Sequence, residues 1–157
     1  MPDAIAKVLK LCLVTAQRVG EVAGIRPDEI DLPRRMWNIP PERVKNGHPH
    51  QVPLLQMALA LIKAHPGPVK AVSISHAVQR YQGRIGIAQF TAHDLRRTAL
   101  AKMAELGVAP IVLGHIANHR TTTKAGMTLG VYVHHAYERE KREALELWAD
   151  RLQHITA

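Results

Sequence analysis

A cluster of prolines in the first third of the chain constrains its fold more than any other feature. They are Pro27, Pro33, Pro40 and Pro41. Proline has no amide hydrogen and its ring clashes with the preceding turn, so this stretch cannot form a long helix. Strand-like pieces occur at residues 29–32, 36–39 and 50–54. Asn46-Gly47 is a strong reversal signal. The sequence therefore predicts a small antiparallel sheet near residues 28–55, with Lys45 at an exposed, mobile hairpin tip.

Helical patterns flank this sheet on both sides. Apolar residues recur at helical spacing from Asp3 to Leu13, and Thr15 is a candidate N-cap for a second segment over residues 17–23. Thr91 followed by Asp94 resembles a capping box. Further helices are predicted over residues 55–64, 75–81, 91–107, 110–115 and 131–152. The fold class predicted is α+β, a mostly helical domain with one small antiparallel β-sheet.

The last helix is amphipathic, and residues 138–157 are predicted to form a tail helix. Its apolar stripe consists of Ala144, Leu145, Trp148, Leu152 and Ile155. Such a stripe needs a groove to lie in, either in its own domain or in a neighbouring copy.

The charge balance points to a polyanionic partner. The 157 residues contain 21 Lys and Arg against 13 Asp and Glu, which gives a formal net charge of +8. Nucleic acid is the first candidate partner, although ribosomal, membrane-surface and merely soluble basic proteins share this composition. The single Cys12 excludes an intramolecular disulfide, and no signal peptide or membrane-spanning stretch is evident, so a cytoplasmic protein is expected.

Two arginines have a specific setting. Arg18 would share a helix face with apolar residues, which indicates either an ion pair with Glu21 or a site that awaits an anion. His93 and Arg96 lie in the first turn of a helix, where free amide groups favour negative charge. They predict either an oxyanion or phosphate site, or a solvated basic cap.

The order Arg, Lys, His-x-x-Arg, Gly-His and Tyr resembles the tyrosine recombinase family of phage-type integrases. The matching segments are residues 15–22, 93–98 and 113–115, and residues 131–149 are similar to the C-terminus of integrases from genomic islands and temperate phages. Alignment on Trp148 makes Tyr132 the nucleophile. A shift of a few residues would make Tyr137 the nucleophile instead.

The resemblance implies a role for each matching residue, without metal or other cofactor. Arg18 and Arg96 would stabilise the charge on a scissile phosphate, and His115 would donate to the same oxygens. Lys45 would be the general acid, and His93 would accept the tyrosine proton or orient its neighbours. Glu21 would hold Arg18. The full set is Arg18, Glu21, Lys45, His93, Arg96, His115 and Tyr132, with Tyr137 as the alternative nucleophile.

The same resemblance implies a site-specific recombinase or integrase of bacterial or phage origin. It would cut and rejoin double-stranded DNA at attachment sites through a 3′-phosphotyrosyl intermediate, to integrate or excise a phage or mobile element. Four protomers would assemble on two duplexes. Residues 1–157 would be a single catalytic domain without amino-terminal DNA-binding domains. Ala16 stands where the family often has glycine.

Three alternatives remain open at this point. One is a type IB topoisomerase, and another is an inactive integrase remnant that still binds DNA. The third is a metal site, formed either by His115 and His119 with His134 or His135, or by His48 and His50. No cysteine cluster or carboxylate framework supports such a site.

Overall fold

The computed structural model describes residues 1–64, 68–84, 86, 88–119 and 137–156. Its helices are α1 (Asp3–Thr15), α2 (Val19–Ala23), α3 (Gln56–Lys63), α4 (Ala71–Tyr81), α5 (Ala92–Glu105), α6 (Pro110–Ile116) and α7 (Glu138–Thr156). Its strands are β1 (Ile30–Asp31), β2 (Met36–Ile39) and β3 (His50–Pro53). The predicted α+β class is confirmed. Within the described ranges, no helix is both long and apolar enough to cross a bilayer.

The predicted antiparallel sheet is confirmed, with strand order β1-β2-β3. Trp37 pairs with Ile30 on one side and Val52 on the other. Pro53 is tolerated because β3 is an edge strand of this sheet. Lys45 is exposed in the connection between β2 and β3, as predicted.

Helix α1 forms the centre of the core and packs against α3 and α5. It ends at Ala16, which adopts a left-handed conformation with φ +56°. The prediction that Thr15 caps the next helix is wrong, because Thr15 is the last residue of α1 and its Oγ1 donates to the Leu11 carbonyl at 2.6 Å. Helix α2 instead begins at Val19, with Arg18 as its N-cap residue.

Local signals place α5 and α6 well. Asp94 accepts hydrogen bonds from the Thr91 amide at 2.9 Å and the Thr91 hydroxyl at 2.7 Å, so the predicted capping box is confirmed. Gly107 has φ +88° just beyond the end of α5, and Pro110 occupies the first turn of α6.

The final helix begins later than its predicted start. Tyr137 has φ +48°, so a continuous helix from residue 131 to 152 is wrong, and residues 131–136 lie outside the described part of the chain. Helix α7 lies in a groove of its own domain, where Trp148 Nε1 donates to the Leu13 carbonyl at 2.8 Å. Ala149 is buried in that groove, whereas Ile155 is 60% exposed, contrary to the predicted stripe.

Candidate active site

One open cleft brings together several residues that the sequence singles out. It has a volume of about 550 Å³ and lies between the start of α2, the β2–β3 connection and the start of α5. Its lining includes Arg18, Glu21, Lys45 and His93. These residues come from three distant parts of the chain, so the fold assembles them as the sequence analysis expects.

Arg18 is held at the cleft by the N-terminal turn of α2. Glu21 is buried, and its carboxylate accepts from the Arg18 amide at 3.2 Å and from Arg18 Nη1 at 3.1 Å. The predicted ion pair is therefore present. Because the Arg18 side chain is still 23% exposed, the guanidinium retains donors for an anion in the cleft.

A second buried carboxylate, that of Glu29, stabilises the N-terminal turn of α2 through Arg43. Glu29 accepts from Trp37 Nε1 at 2.9 Å, from Arg26 Nε at 2.9 Å and from Arg43 Nη1. Burial alone would raise the pKa of Glu29, but these hydrogen bonds outweigh burial and lower it. Arg43 also donates to the Glu21 carbonyl at 2.6 Å, so it joins the β2–β3 connection to α2.

Arg96 is the fifth residue of α5, is only 2% exposed and interacts electrostatically with Arg18 of the cleft. Its Nη2 donates to the Ala117 carbonyl at 2.6 Å, whereas its buried Nη1 has no hydrogen-bond partner among the described residues. Burial, followed by the charge of Arg18, lowers the pKa of Arg96 to about 10. The interpretation of Arg96 as part of a solvated cap is therefore wrong, while His93 is exposed.

The histidine that meets Arg96 is His119, which follows α6. Its Nε2 lies 3.3 Å from Arg96 Nη2. Since the guanidinium can only donate, Nε2 accepts, and the ring is neutral with its proton on Nδ1. Burial, then the charges of Arg96, Arg18 and His93, lower the pKa of His119.

Sequence reasoning assigns the phosphate-facing role to His115 and considers His119 only as a metal ligand. In the structure the His115 ring stacks on Tyr137, with ring centroids 4.2 Å apart. The available signal was a second histidine four residues further on, where the left-handed Asn118 turns the chain after α6.

Only one of the two candidate nucleophiles lies in the described part of the chain. Tyr132 lies outside it. Tyr137 is half-buried, packs against the core and immediately precedes α7, whose Lys141 amide donates to its carbonyl at 2.8 Å.

A buried polar network holds the ends of α1 and α6 together. His50 Nε2 lies 3.2 Å from both Gln17 Oε1 and the Ile116 carbonyl, and Gln17 Nε2 donates to the same carbonyl at 3.0 Å. Both partners of His50 Nε2 are acceptors, so this nitrogen carries the proton. Burial, followed by the charge of Lys141, lowers the pKa of His50 to about 3.

This network bears on the proposed histidine metal sites. The Nε2 atom of His50 is already hydrogen-bonded to protein oxygens and is not free to bind a metal. No group of three or more His, Cys, Asp or Glu side chains suited to a metal ion occurs in the described ranges. His134 and His135 fall outside them.

The cleft has an excess of positive side chains, because Arg18, Arg43 and Lys45 line it together with Glu21 and Glu42. Arg18, Arg96 and His119 influence one another electrostatically, and Glu21 is the one carboxylate that acts on Arg96 in the described structure. Guanidinium and imidazole groups around a cleft of this kind bind a phosphate or another oxyanion.

Several comparisons with known proteins return integrases or recombinases. A sequence model of the Phage integrase family matches residues 2–67. The chain is 28% identical over 122 residues to the Shufflon-specific DNA recombinase of Escherichia coli, covering 73% of this chain and 31% of that protein. It is 28% identical over 155 residues to Prophage integrase IntA of Escherichia coli (strain K12), covering 88% of this chain and 36% of that protein. The chain thus spans about a third of the length of these relatives.

The fold is similar to that of solved integrases. The integrase from mycobacterium phage Brujita superposes with a TM-score of 0.71 at 20% identity, over 93% of this chain and 52% of that one. At this identity the likeness establishes the fold.

Proposed function

The chain belongs to the phage integrase family of tyrosine recombinases, and we propose that it is the catalytic part of a site-specific DNA recombinase. It would cut and rejoin strands to integrate or excise a phage or mobile element. The observation that carries this proposal is Arg96, a buried guanidinium whose Nη1 has no partner among the described residues. It lies next to His119 and interacts electrostatically with Arg18, which lines the cleft together with Lys45 and His93. A cation that is costly to bury in the free protein is explained by an anion that binds there.

The bound anion in this proposal is a scissile phosphate of DNA. Its transition state gathers negative charge on the non-bridging oxygens, and Arg18 and Arg96 stabilise that charge where metal ions do so in other enzymes. His119 donates to the same oxygens, in the role that the sequence analysis gave to His115. Its Nδ1 proton is available for this donation, because its Nε2 accepts from Arg96.

The reaction transfers a phosphoryl group without consuming water or a nucleotide. The hydroxyl oxygen of Tyr132 attacks the phosphorus, the bond from phosphorus to the 5′-oxygen breaks, and a 3′-phosphotyrosyl bond forms. His93 accepts the tyrosine proton or orients the group that does, and Lys45 protonates the departing 5′-oxygen. Attack by a 5′-hydroxyl of another strand reverses these steps, so strands are exchanged.

We assign the nucleophile to Tyr132 rather than Tyr137. The support from the structure is that the Tyr137 ring stacks on His115 and packs against the core. These contacts fix the Tyr137 side chain at the start of α7, and they would be lost if the side chain turned toward a phosphate.

Double-stranded DNA is the proposed partner, and this follows from three observations. The chain carries a formal net charge of +8, its cleft is cationic, and one relative is named a DNA recombinase. Strand exchange between two duplexes requires several active sites at once, so we propose assembly of four copies on DNA.

The experiment that tests this proposal traps the covalent intermediate. The substrate is a duplex from the end of the native element with a nick near the cleavage site. After cleavage, the short fragment that carries the free 5′-hydroxyl diffuses away, so the covalent adduct cannot be reversed. The wild type should form an adduct that survives SDS, as should Tyr137→Phe, whereas Tyr132→Phe should form none. Loss only in Tyr137→Phe would reassign the nucleophile. DNA binding by the wild type without any adduct would refute the catalytic proposal in favour of a DNA-binding remnant.

A further inference from the structure

The loop that carries Lys45 is joined to the segment that carries His119 by two asparagines. Asn46 Nδ2 donates to the Asn118 carbonyl at 2.9 Å and to Asn118 Oδ1 at 3.1 Å. In return, Asn118 Nδ2 donates to Asn46 Oδ1 at 3.4 Å. We refer to Asn46 and Asn118 as the asparagine pair. It links residues 72 positions apart in the sequence.

The backbone on each side is shaped to present these amides. The His48 amide donates to Asn46 Oδ1 at 3.1 Å, and the Gly47 amide closes a turn on the Val44 carbonyl at 3.2 Å. Asn118 has φ +48°, a left-handed conformation that asparagine tolerates better than most residues. Both asparagines are half-buried. The contact is therefore fixed from both sides.

The position of the pair connects it to the chemistry of the cleft. Asn46 directly follows Lys45, and Asn118 directly precedes His119, which contacts Arg96. A lysine on a ten-residue connection between two strands would otherwise lose considerable conformational entropy each time its ammonium group was brought to a substrate. Holding the loop in place before the reaction removes part of that cost.

We infer that the asparagine pair is a positioning device that sets Lys45 against the phosphate held by Arg96 and His119. This inference rests on the proposed function. Lys45 donates a proton to the 5′-oxygen as its bond to phosphorus breaks, and the asparagine pair acts only through Lys45. It touches neither the phosphate nor the reacting oxygens.

The chemistry of the leaving group separates this role from a general structural one. An alkoxide leaving group needs a proton, whereas a thiolate is stable near neutral pH because thiols have a pKa near 8.5. A DNA strand with sulfur in place of the 5′-bridging oxygen therefore releases its leaving group without a general acid. Defects that act through Lys45 should disappear on this substrate, while defects in folding or DNA binding should persist.

The test uses Asn46→Asp in the full protein. The aspartate keeps an acceptor for the His48 amide. It replaces Asn46 Nδ2 with an oxygen that cannot donate and that faces the carbonyl oxygen and Oδ1 of Asn118. Asn38→Asp is the matched control: it makes the same change in β2 of the same sheet and keeps the acceptor for Gln51 Nε2, which lies 3.1 Å from Asn38 Oδ1. Lys45→Ala provides the reference pattern for loss of the general acid.

Rates of covalent adduct formation on the two substrates give the result. Asn46→Asp should be about 10-fold slower on the oxygen substrate, a fraction of what a general acid contributes, and within about threefold of the wild type on the sulfur substrate. Asn38→Asp should match the wild type on both. Added to Lys45→Ala, Asn46→Asp should slow the oxygen reaction no further.

Three outcomes would overturn the inference. They are an equal loss on both substrates, no loss on either, and an additive loss in the double variant. Failure of the proposed function looks different, because the wild type itself would then form no adduct on either substrate.

Discussion

Replacing Arg96 with methionine should leave the DNA-free protein as stable as the wild type or more stable, while strand cleavage is lost. Arg96 is 2% exposed, and its Nη1 has no partner in the described structure. Methionine is an unbranched, uncharged side chain that can occupy the space of the buried arginine side chain. The variant therefore removes the cost of burying the cation and also removes the group that holds the phosphate.

The magnitude follows from the surroundings of the guanidinium. Burial and the charge of Arg18 lower its pKa to about 10, and at about 1.4 kcal/mol per pKa unit the charged form costs about 3 kcal/mol. The hydrogen bond to the Ala117 carbonyl, which the variant loses, offsets about 2 kcal/mol of that gain. We expect a net increase of about 1 kcal/mol in the free energy of unfolding.

Urea unfolding of Arg96→Met, the wild type and Arg97→Met checks this balance. Arg97 is the next residue on α5, and its side chain is 73% exposed, so its variant controls for loss of one positive charge. Arg97→Met should unfold within about 0.5 kcal/mol of the wild type and should retain cleavage. A loss of about 2 kcal/mol or more in Arg96→Met would refute the reasoning, because it would make Arg96 a structural support.

Four further results are expected. The pKa of His50 is about 3 in the folded chain and 6.5 in an ordinary histidine, so the unfolded chain binds more protons than the folded chain below pH 6.5. The free energy of unfolding of the wild type should therefore fall by about 2 kcal/mol from pH 7 to pH 5. Urea unfolding of His50→Gln should lack this fall. Burial lowers the pKa of Lys141 from 10.5 to about 8, so wild-type stability should rise with pH across that window, and Lys141→Met should lack the rise. Trp148→Phe loses the bond to the Leu13 carbonyl and should cost about 2 kcal/mol in thermal or urea unfolding. DNA affinity measured by fluorescence anisotropy should fall steeply between low and moderate salt, because phosphate contacts release counterions; unchanged affinity would contradict the cationic cleft.

Features that depend on local sequence were predictable. The Thr91–Asp94 capping box, the prolines around the sheet and Gly107 each act within a few residues, so the sequence indicates them directly. The convergence of Arg18, Lys45 and His93 followed from the resemblance to a family, since no local rule brings three distant segments together.

Features that depend on tertiary contacts were missed. Tyr137 adopts a left-handed conformation that its residue type disfavours, so propensity alone runs a helix through this position. Spacing could not reveal the contact between His119 and Arg96, because that contact depends on how the chain turns after α6. Glu29 has no signal in the sequence pattern, although donors from Arg26, Trp37 and Arg43 converge on it.

The central claim is that Arg96 neutralises charge on a scissile phosphate, and one substitution in the DNA tests it most directly. A methylphosphonate at the cleavage position replaces a charged non-bridging oxygen with a neutral methyl group. On ordinary DNA, Arg96→Met should form the covalent adduct at least about 100-fold more slowly than the wild type. On methylphosphonate DNA, that difference should shrink to less than about 10-fold, because little charge remains to be stabilised. The same large deficit on both substrates would contradict the account.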